Sequence, residues 1–162
     1  MAVRILRSLC RNDDGSALVE GAIVLPVLFA LVAGVFEFSW LFYQQHLIST
    51  GIRDAARYIA RSAAPNDATI QRGAKNLATT GAIDGNRSRV RGWSASDVNV
   101  TFVSVPNPTG FNGTTGFRGG SVIQTVTVST VFTVPSLGFF DFLGLKPPAF
   151  SVSHQERVIG SG

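Results

Sequence analysis

The stretch from Asp14 to Trp40, DGSALVEGAIVLPVLFALVAGVFEFSW, has the length and apolarity of a membrane span. Three residues set it apart from a plain anchor: Glu20 and Glu37 stand near its ends, and Pro26 lies inside it. The hydrocarbon core of a bilayer is about 30 Å thick and takes about 20 helical residues. The apolar run from Ala17 to Tyr43 is long enough. At about 1.5 Å of rise per residue, the two glutamates are expected roughly 26 Å apart. Each is then predicted to sit near an opposite face of the membrane, where a charge costs less than at the centre. A secretory signal peptide is the competing reading. Its apolar region is shorter, about 7 to 15 residues, and ends at a small-residue cleavage site. The present run is longer and no such site ends it, which favours a retained transmembrane helix.

Upstream, residues 1–15 (MAVRILRSLCRNDDG) carry Arg4, Arg7 and Arg11 and read as a short basic leader. Cys10 is the only cysteine in the chain, so no internal disulfide framework is possible. The apolar run before it is too short and too basic for a lipoprotein signal. Across all 162 residues the charged fraction is 15%, which fits a small membrane-anchored protein better than a freely soluble one. The net charge of +4 is spread along the chain and is almost all arginine, Lys75 and Lys146 being the only lysines. Nucleic-acid binding calls for a clustered basic stripe. The nearest approach, Arg87 to Arg91 (RSRVR), reads as a solvated loop, so no nucleic-acid partner is expected.

Downstream, QQHLISTGIRDAARYIARSAA continues the helix. Ile48, Ile52, Ala55 and Ile59 fall on one stripe, with Arg53, Arg57 and Arg61 on another face. Gly51 is a weak point but not a stop. Pro65 is predicted to end the helix near Ala63, because proline pushes the preceding residue out of the helical region. PNDATIQRGAKNLATTG reads as a second, short helix. Asn66 or Asp67 caps it, Ile70, Ala74, Leu77 and Ala78 form its stripe, and Gly81 closes it. Strand patterns follow. Val98, Val100 and Phe102 share one face; in SVIQTVTVSTVFTV, Val122, Val126, Val128, Phe132 and Val134 oppose Thr125, Thr127, Ser129 and Thr133; AFSVSHQERVI is a plausible last strand. The fold class is therefore α+β: a long N-terminal transmembrane and amphipathic helix, a short helix, and an antiparallel sheet of three or four strands packed on both. The expected division is a leader at 1–15, a long helix at 16–64 with its span at about 17–43, and an α+β domain at 65–162.

Few residues invite chemistry. The glycine-rich segment Gly110 to Gly120 is flanked by strands and lacks the Lys of a phosphate-binding loop, so it reads as a hairpin loop. His46 and His154 are far apart in sequence and lack partners at metal-ligand spacing. Asn86, Asn99 and Asn112 begin N-x-[ST] triplets, which arise often by chance. No catalytic, metal-binding or cofactor-binding set is legible, and no enzymatic activity is expected. In Leu137 to Pro148 (LGFFDFLGLKPP), Phe139, Phe140, Phe142, Leu143 and Leu145 crowd a short connector. It reads either as a loop folded over the core or as an exposed patch that meets a partner or the membrane surface.

The ordered set GSALVE, then GAIVLPVLFALVAGVFEFSW, then LISTGIRDAARYIARSAA resembles the TadE-like pseudopilins of tight-adherence (Flp-type) pilus systems. Gly15 and Glu20, Leu25-Pro26, Glu37-Phe38 and Ala55 to Arg57 carry the likeness, over about residues 11 to 64. The resemblance implies cleavage by a prepilin peptidase between Gly15 and Ser16, with Glu20 as the fifth residue of the mature chain. It also implies a cytoplasmic leader, a single pass through the bacterial inner membrane, an extracytoplasmic sheet domain, and other pilins and the assembly machinery as partners. Gly21, not Tyr, follows Glu20, and about a hundred residues follow the helix. These departures from the main filament subunits favour a minor pilin or pseudopilin. On this reading the Ser16 amine freed by cleavage pairs with Glu20, and Pro26 loosens the helix for packing. The other reading is a signal-anchored envelope binding module that keeps its leader.

Overall fold

A computed structural model of the chain describes residues 13–110, 113, 116–117 and 120–159. The expected leader residues Arg4, Arg7, Cys10 and Arg11 lie outside the described residues, as does Asn112. Helix α1 (Asp13–Ala60) runs unbroken for 48 residues with Pro26 inside it. Helix α2 (Ala68–Thr80) follows, then strands β1 (Val98–Pro106) and β2 (Val122–Thr133), the single-turn helix α3 (Phe139–Phe142), and strand β3 (Ala149–Arg157). The strands form one antiparallel sheet in the order β1-β2-β3. Val98 pairs with Thr130 and Pro106 with Val122 on one side of β2; Thr125 pairs with Arg157 and Thr133 with Ala149 on the other. The architecture is α+β, as the alternating and helical periods predict.

The C-terminal half of α1 is the spine of the core. Ile48, Ile52, Ala55 and Ile59 are fully buried, while Arg53, Arg57 and Arg61 are exposed. Each buried isoleucine contributes about 1.5–3 kcal/mol of apolar burial. Strands β2 and β3 and helix α2 all pack on this half of α1. Helix α2 begins at Asp67, whose carboxylate accepts the Thr69 N–H at 2.6 Å and the Ile70 N–H at 3.4 Å. It ends at Gly81, whose φ of 88° is the left-handed conformation that glycine adopts without strain. Trp93 is the largest fully buried side chain. Its indole N–H donates to Thr130 Oγ1 at 3.2 Å, and that hydroxyl donates to the Asp97 carbonyl at 2.8 Å. Thr130 thus fills an inward position of β2 without an unsatisfied polar atom. Val122, counted among the inward residues from its parity, is 54% exposed at the loop end of the strand.

Helix α1 stops at Ala60, before the expected Ala63. The Ser62 N–H reaches back to the Ile59 carbonyl in a tightened final turn, and the Ala60 carbonyl accepts the Ile159 N–H at 2.8 Å. The segment leaving β3 therefore takes the acceptor that a further helical turn would have used. This tertiary contact, three residues before Pro65 could act locally, sets the helix end.

Gly51 marks the crossing of α1 and α2. A Cβ there would collide with the Ala78 carbonyl oxygen and lie 3.1 Å from Trp93 Cη2. Alanine is the better helix former by about 1 kcal/mol, yet Gly51→Ala is predicted to destabilise the domain by about 1–3 kcal/mol, because the backbone of α2 must move. Denaturant unfolding of detergent-solubilised protein reads this directly; a stabilised variant would show that the two helices are not held at this distance.

Across the sheet surface, Glu156 accepts from His154 Nε2 at 3.0 Å and faces Arg57 Nε at 3.5 Å. The hydrogen bond from His154 is the main cause that holds the Glu156 carboxyl below its ordinary value; partial burial opposes it and Arg57 adds to it. The Asp67 carboxyl is also lowered, chiefly by the Thr69 backbone N–H. A carboxyl with a depressed folded value stabilises the fold above its unfolded value and loses that contribution as the pH falls through the folded one. Acidification is thus predicted to destabilise the domain below the ordinary carboxylate range, and Glu156→Gln should flatten that acid limb in pH-resolved thermal melts.

Candidate assembly site on the apolar helix

Among the described residues, the N-terminal half of α1 touches the rest of the fold only around Gly34, where Phe139 of α3 comes close. Between Leu18 and Phe36 every large apolar side chain is exposed, Leu18 at 76% and Phe36 at 66%. One 18-residue window of this helix is apolar enough to cross a membrane, and none of it is buried. A soluble surface would not carry such a sleeve of Leu, Val, Ile and Phe. The stretch from Glu20 to Trp40 is about 30 Å long at 1.5 Å per residue, matching the roughly 30 Å of a hydrocarbon core.

The five residues singled out on this helix have distinct surroundings. Gly15 and Ser16 are exposed and already helical, and nothing lies within 4 Å of a Cβ built on Gly15. Among the described residues nothing crowds Gly15, and the backbone there is helical, not extended. Glu20 is exposed and has no hydrogen bond or ion pair among the described residues. Pro26 has no N–H to donate to the Ala22 carbonyl, one turn before it, so that acceptor is released within an otherwise continuous helix.

Glu37 differs from the expectation. It is 1% exposed, among the most buried side chains in the chain. Oε1 accepts the Leu137 N–H at 2.8 Å and Oε2 the Phe139 N–H at 3.3 Å. One carboxylate thus holds the backbone of the turn that leads into α3. Phe140 packs edge-on against Phe38 with ring centroids 5.8 Å apart, and Trp40 Nε1 donates to the Pro135 carbonyl at 3.3 Å. The connector from Leu137 to Leu145 is accordingly fastened to α1 at Glu37 and Phe38, and the chain leading into it at Trp40. Only Phe140 of this connector packs against the main core; Phe142, Leu143 and Leu145 are exposed.

A periodic signal could have exposed this role. Glu37, Leu41, Gln44 and Ile48 are all buried and recur at intervals of four, three and four residues. They extend the core stripe of Ile48, Ile52 and Ile59 by three turns toward the N-terminus. Read from the apolar segment alone, Glu37 looks like a membrane-face charge; read from the stripe, it is a core position.

Among the described residues, no three His, Cys, Asp or Glu side chains converge on a common point. His46 is exposed on α1. His154 stands on β3 and does have an acidic neighbour, Glu156 two residues on, on the same face of the strand. That pairing was invisible to a search for metal-ligand spacing.

Removing the Glu37 carboxylate leaves two backbone N–H groups without their acceptors. Glu37→Leu is predicted to cost about 1–3 kcal/mol for each N–H left buried and unpaired, and Glu37→Gln less, since its amide oxygen can keep one of the two. Hydrogen exchange at Leu137 and Phe139 should rise sharply in Glu37→Leu while the amides of β2 stay protected; unchanged exchange at both sites would show that the carboxylate does not hold the turn.

The comparisons with known proteins single out the same long helix. The model of the family described as TadE-like protein matches residues 15–57, from Gly15 to the last turn of α1. No curated protein and no solved structure matches the chain. The chain thus carries a TadE-like domain over residues 15–57, which with its membrane-length apolar helix fits a pilus-associated membrane protein.

Proposed function

We propose that the protein is a TadE-like pseudopilin, a minor pilin that takes part in assembling a tight-adherence pilus. It is an assembly protein and not an enzyme. On this reading α1 holds it in the bacterial inner membrane, with the N-terminal leader in the cytoplasm and the sheet domain outside. A prepilin peptidase cuts between Gly15 and Ser16, and the cleaved chain then packs against other pilins. The observation that carries the proposal is the TadE-like match, which begins at Gly15 itself.

The physical features of the helix support it. A peptidase needs an unobstructed bond, and Gly15 has no neighbours to obstruct it. A helical bond must first be drawn out, and glycine gives way at the least cost because its intrinsic helix propensity is poor. Cleavage converts the Ser16 nitrogen to a charged amine. Glu20 stands one helical turn away, exposed and without a partner among the described residues. Its carboxylate is then available to that amine, in the same chain or in a neighbouring one. Between neighbours the pair fixes how far one helix is displaced along the next, because a charge in an apolar bundle is tolerated only opposite its counter-charge. The missing Pro26 hydrogen bond lets the helix flex as it leaves the bilayer for the bundle.

Two variants test the reading. Gly15→Leu should leave the chain uncut, detected by intact mass after membrane extraction. Glu20→Gln should be cut but fail to assemble, since one member of a buried ion pair left alone costs about 3–5 kcal/mol. Processing by gel mobility and pili by electron microscopy give the two readouts. Normal piliation with Glu20→Gln would remove the charge-pairing role. Functional protein that keeps residues 1–15 would remove the pseudopilin reading in favour of a signal-anchored binding module.

A further inference from the structure

We infer that the turn from Leu137 to Leu145 is a second membrane contact, a foot that enters the outer part of the same bilayer that α1 crosses. This rests on α1 being the membrane span.

Position along the helix is the first argument. A Cβ on Gly34 would lie 3.6 Å from Phe139 Cε1, and Phe140 packs on Phe38. Phe139 and Leu143 also share an apolar groove with Val27, Leu31 and Val35. If the hydrocarbon starts at Glu20, about 20 residues of helix carry it to the level of Trp40. Gly34 then lies roughly 9 Å inside that boundary at 1.5 Å per residue. A turn that reaches Gly34 from the sheet domain is at lipid depth, whatever its composition.

Composition is the second. Phe142 is 82% exposed, and Leu137, Leu143 and Leu145 are each exposed at 50% or more. These side chains are continuous with the exposed sleeve of α1, so the two form one apolar surface. Trp40 and Tyr43, with rings 6.2 Å apart, lie at the level where aromatic residues concentrate at a membrane boundary. Lys146 follows the last apolar residue of the turn, as expected where a chain returns to the headgroups.

The third argument is the backbone. Irregular chain is excluded from lipid unless its N–H groups are satisfied within the protein. Here Glu37 accepts from Leu137 and Phe139. Within the turn, Phe142 N–H donates to Gly138, Leu143 to Phe139, Gly144 to Asp141 and Leu145 to Phe140, all at 2.8–3.1 Å. The one charged side chain in the turn, Asp141, accepts from Ser136 Oγ at 3.2 Å, next to the Pro135 that Trp40 holds at the boundary. A buried carboxylate on a transmembrane helix is costly; as the acceptor that lets a re-entrant turn shed its water, Glu37 has a reason to be there.

The test uses the full chain with Cys10→Ser, reconstituted in vesicles of phosphatidylethanolamine and phosphatidylglycerol. A bimane label is placed at Phe142→Cys, with Phe29→Cys as the reference for lipid and Thr101→Cys, on the exposed side of β1, as the reference for water. With nitroxides carried both high and deep on the acyl chains, lipid should quench the label at 142 several-fold more than that at 101, and aqueous iodide should do the reverse. Iodide quenching at 142 equal to that at 101 would overturn the inference, placing the turn in water. Shielding from both quenchers would also overturn it, since a second copy or another protein would then cover the turn. If the label at 29 escapes the lipid nitroxide, the span itself fails; if 29 is quenched and 142 is not, only the foot fails.

Discussion

The hydrogen bonds from Leu137 and Phe139 to the Glu37 carboxylate determine how the two halves of this protein meet. A carboxylate on an apolar helix has three fates: water, a counter-charge, or a set of N–H donors. Glu37 has the third. Its donors belong to residues a hundred positions further on, so the bond can form only when the sheet is folded and seated on α1. The same contact fixes the lower edge of the folded domain on the helix, just above Phe36. N-terminal of that point α1 meets only the tip of the turn, where Phe139 stands beside Gly34, and C-terminal of it one stripe of the helix enters the core.

Helix α1 therefore serves in two solvents. From Gly21 to Phe36 it is apolar on every side, as a helix in lipid must be; from Gln44 to Ala60 it is apolar on one stripe and polar or charged on the others. The stripe passes from one regime to the next without a break in the helix, so the domain cannot tilt freely on its anchor. Gly51 tightens this further, because α2 crosses α1 close enough to exclude a side chain. On the proposed pseudopilin reading, a rigid connection between domain and span suits a subunit whose packing in a bundle must be transmitted to what it displays.

The sequence made the fold class legible because its periods are clean. The alternation around Val126 and Val128, the stripe of Ile48, Ile52 and Ile59, and the Asp67 cap with Gly81 all express local rules, and each is met in the structure. What was illegible depends on contacts between distant segments. The end of α1 at Ala60 is set by Ile159, not by the nearby Pro65. Trp93 and Thr130 form a buried pair across 37 positions, and neither residue signals it alone. Glu37 is the sharpest case. Hydropathy groups it with the membrane segment, whereas its spacing from Leu41, Gln44 and Ile48 groups it with the core. Of the five residues proposed to matter on the helix, it is the only one with a partner in the fold, and its partner is backbone, which no sequence pattern displays.

That contrast sharpens the meaning of Glu20. Seventeen residues separate it from Glu37, which at 3.6 residues per turn brings it about 100° around the helix axis. The face of α1 on which the domain sits is therefore not the face that carries Glu20. The domain also ends well above it, so the fold provides no donor for this second carboxylate among the described residues. Two glutamates on one apolar helix thus have opposite requirements. Glu37 is complete within the chain and needs nothing from outside. Glu20 is incomplete, and in lipid an unpaired carboxylate is costly enough that a partner bringing positive charge to that face is favoured over none. On the proposed pseudopilin reading, a helix that satisfies Glu37 internally and leaves Glu20 for a neighbour has, in that asymmetry, a physical basis for both holding its own domain and recruiting the next subunit.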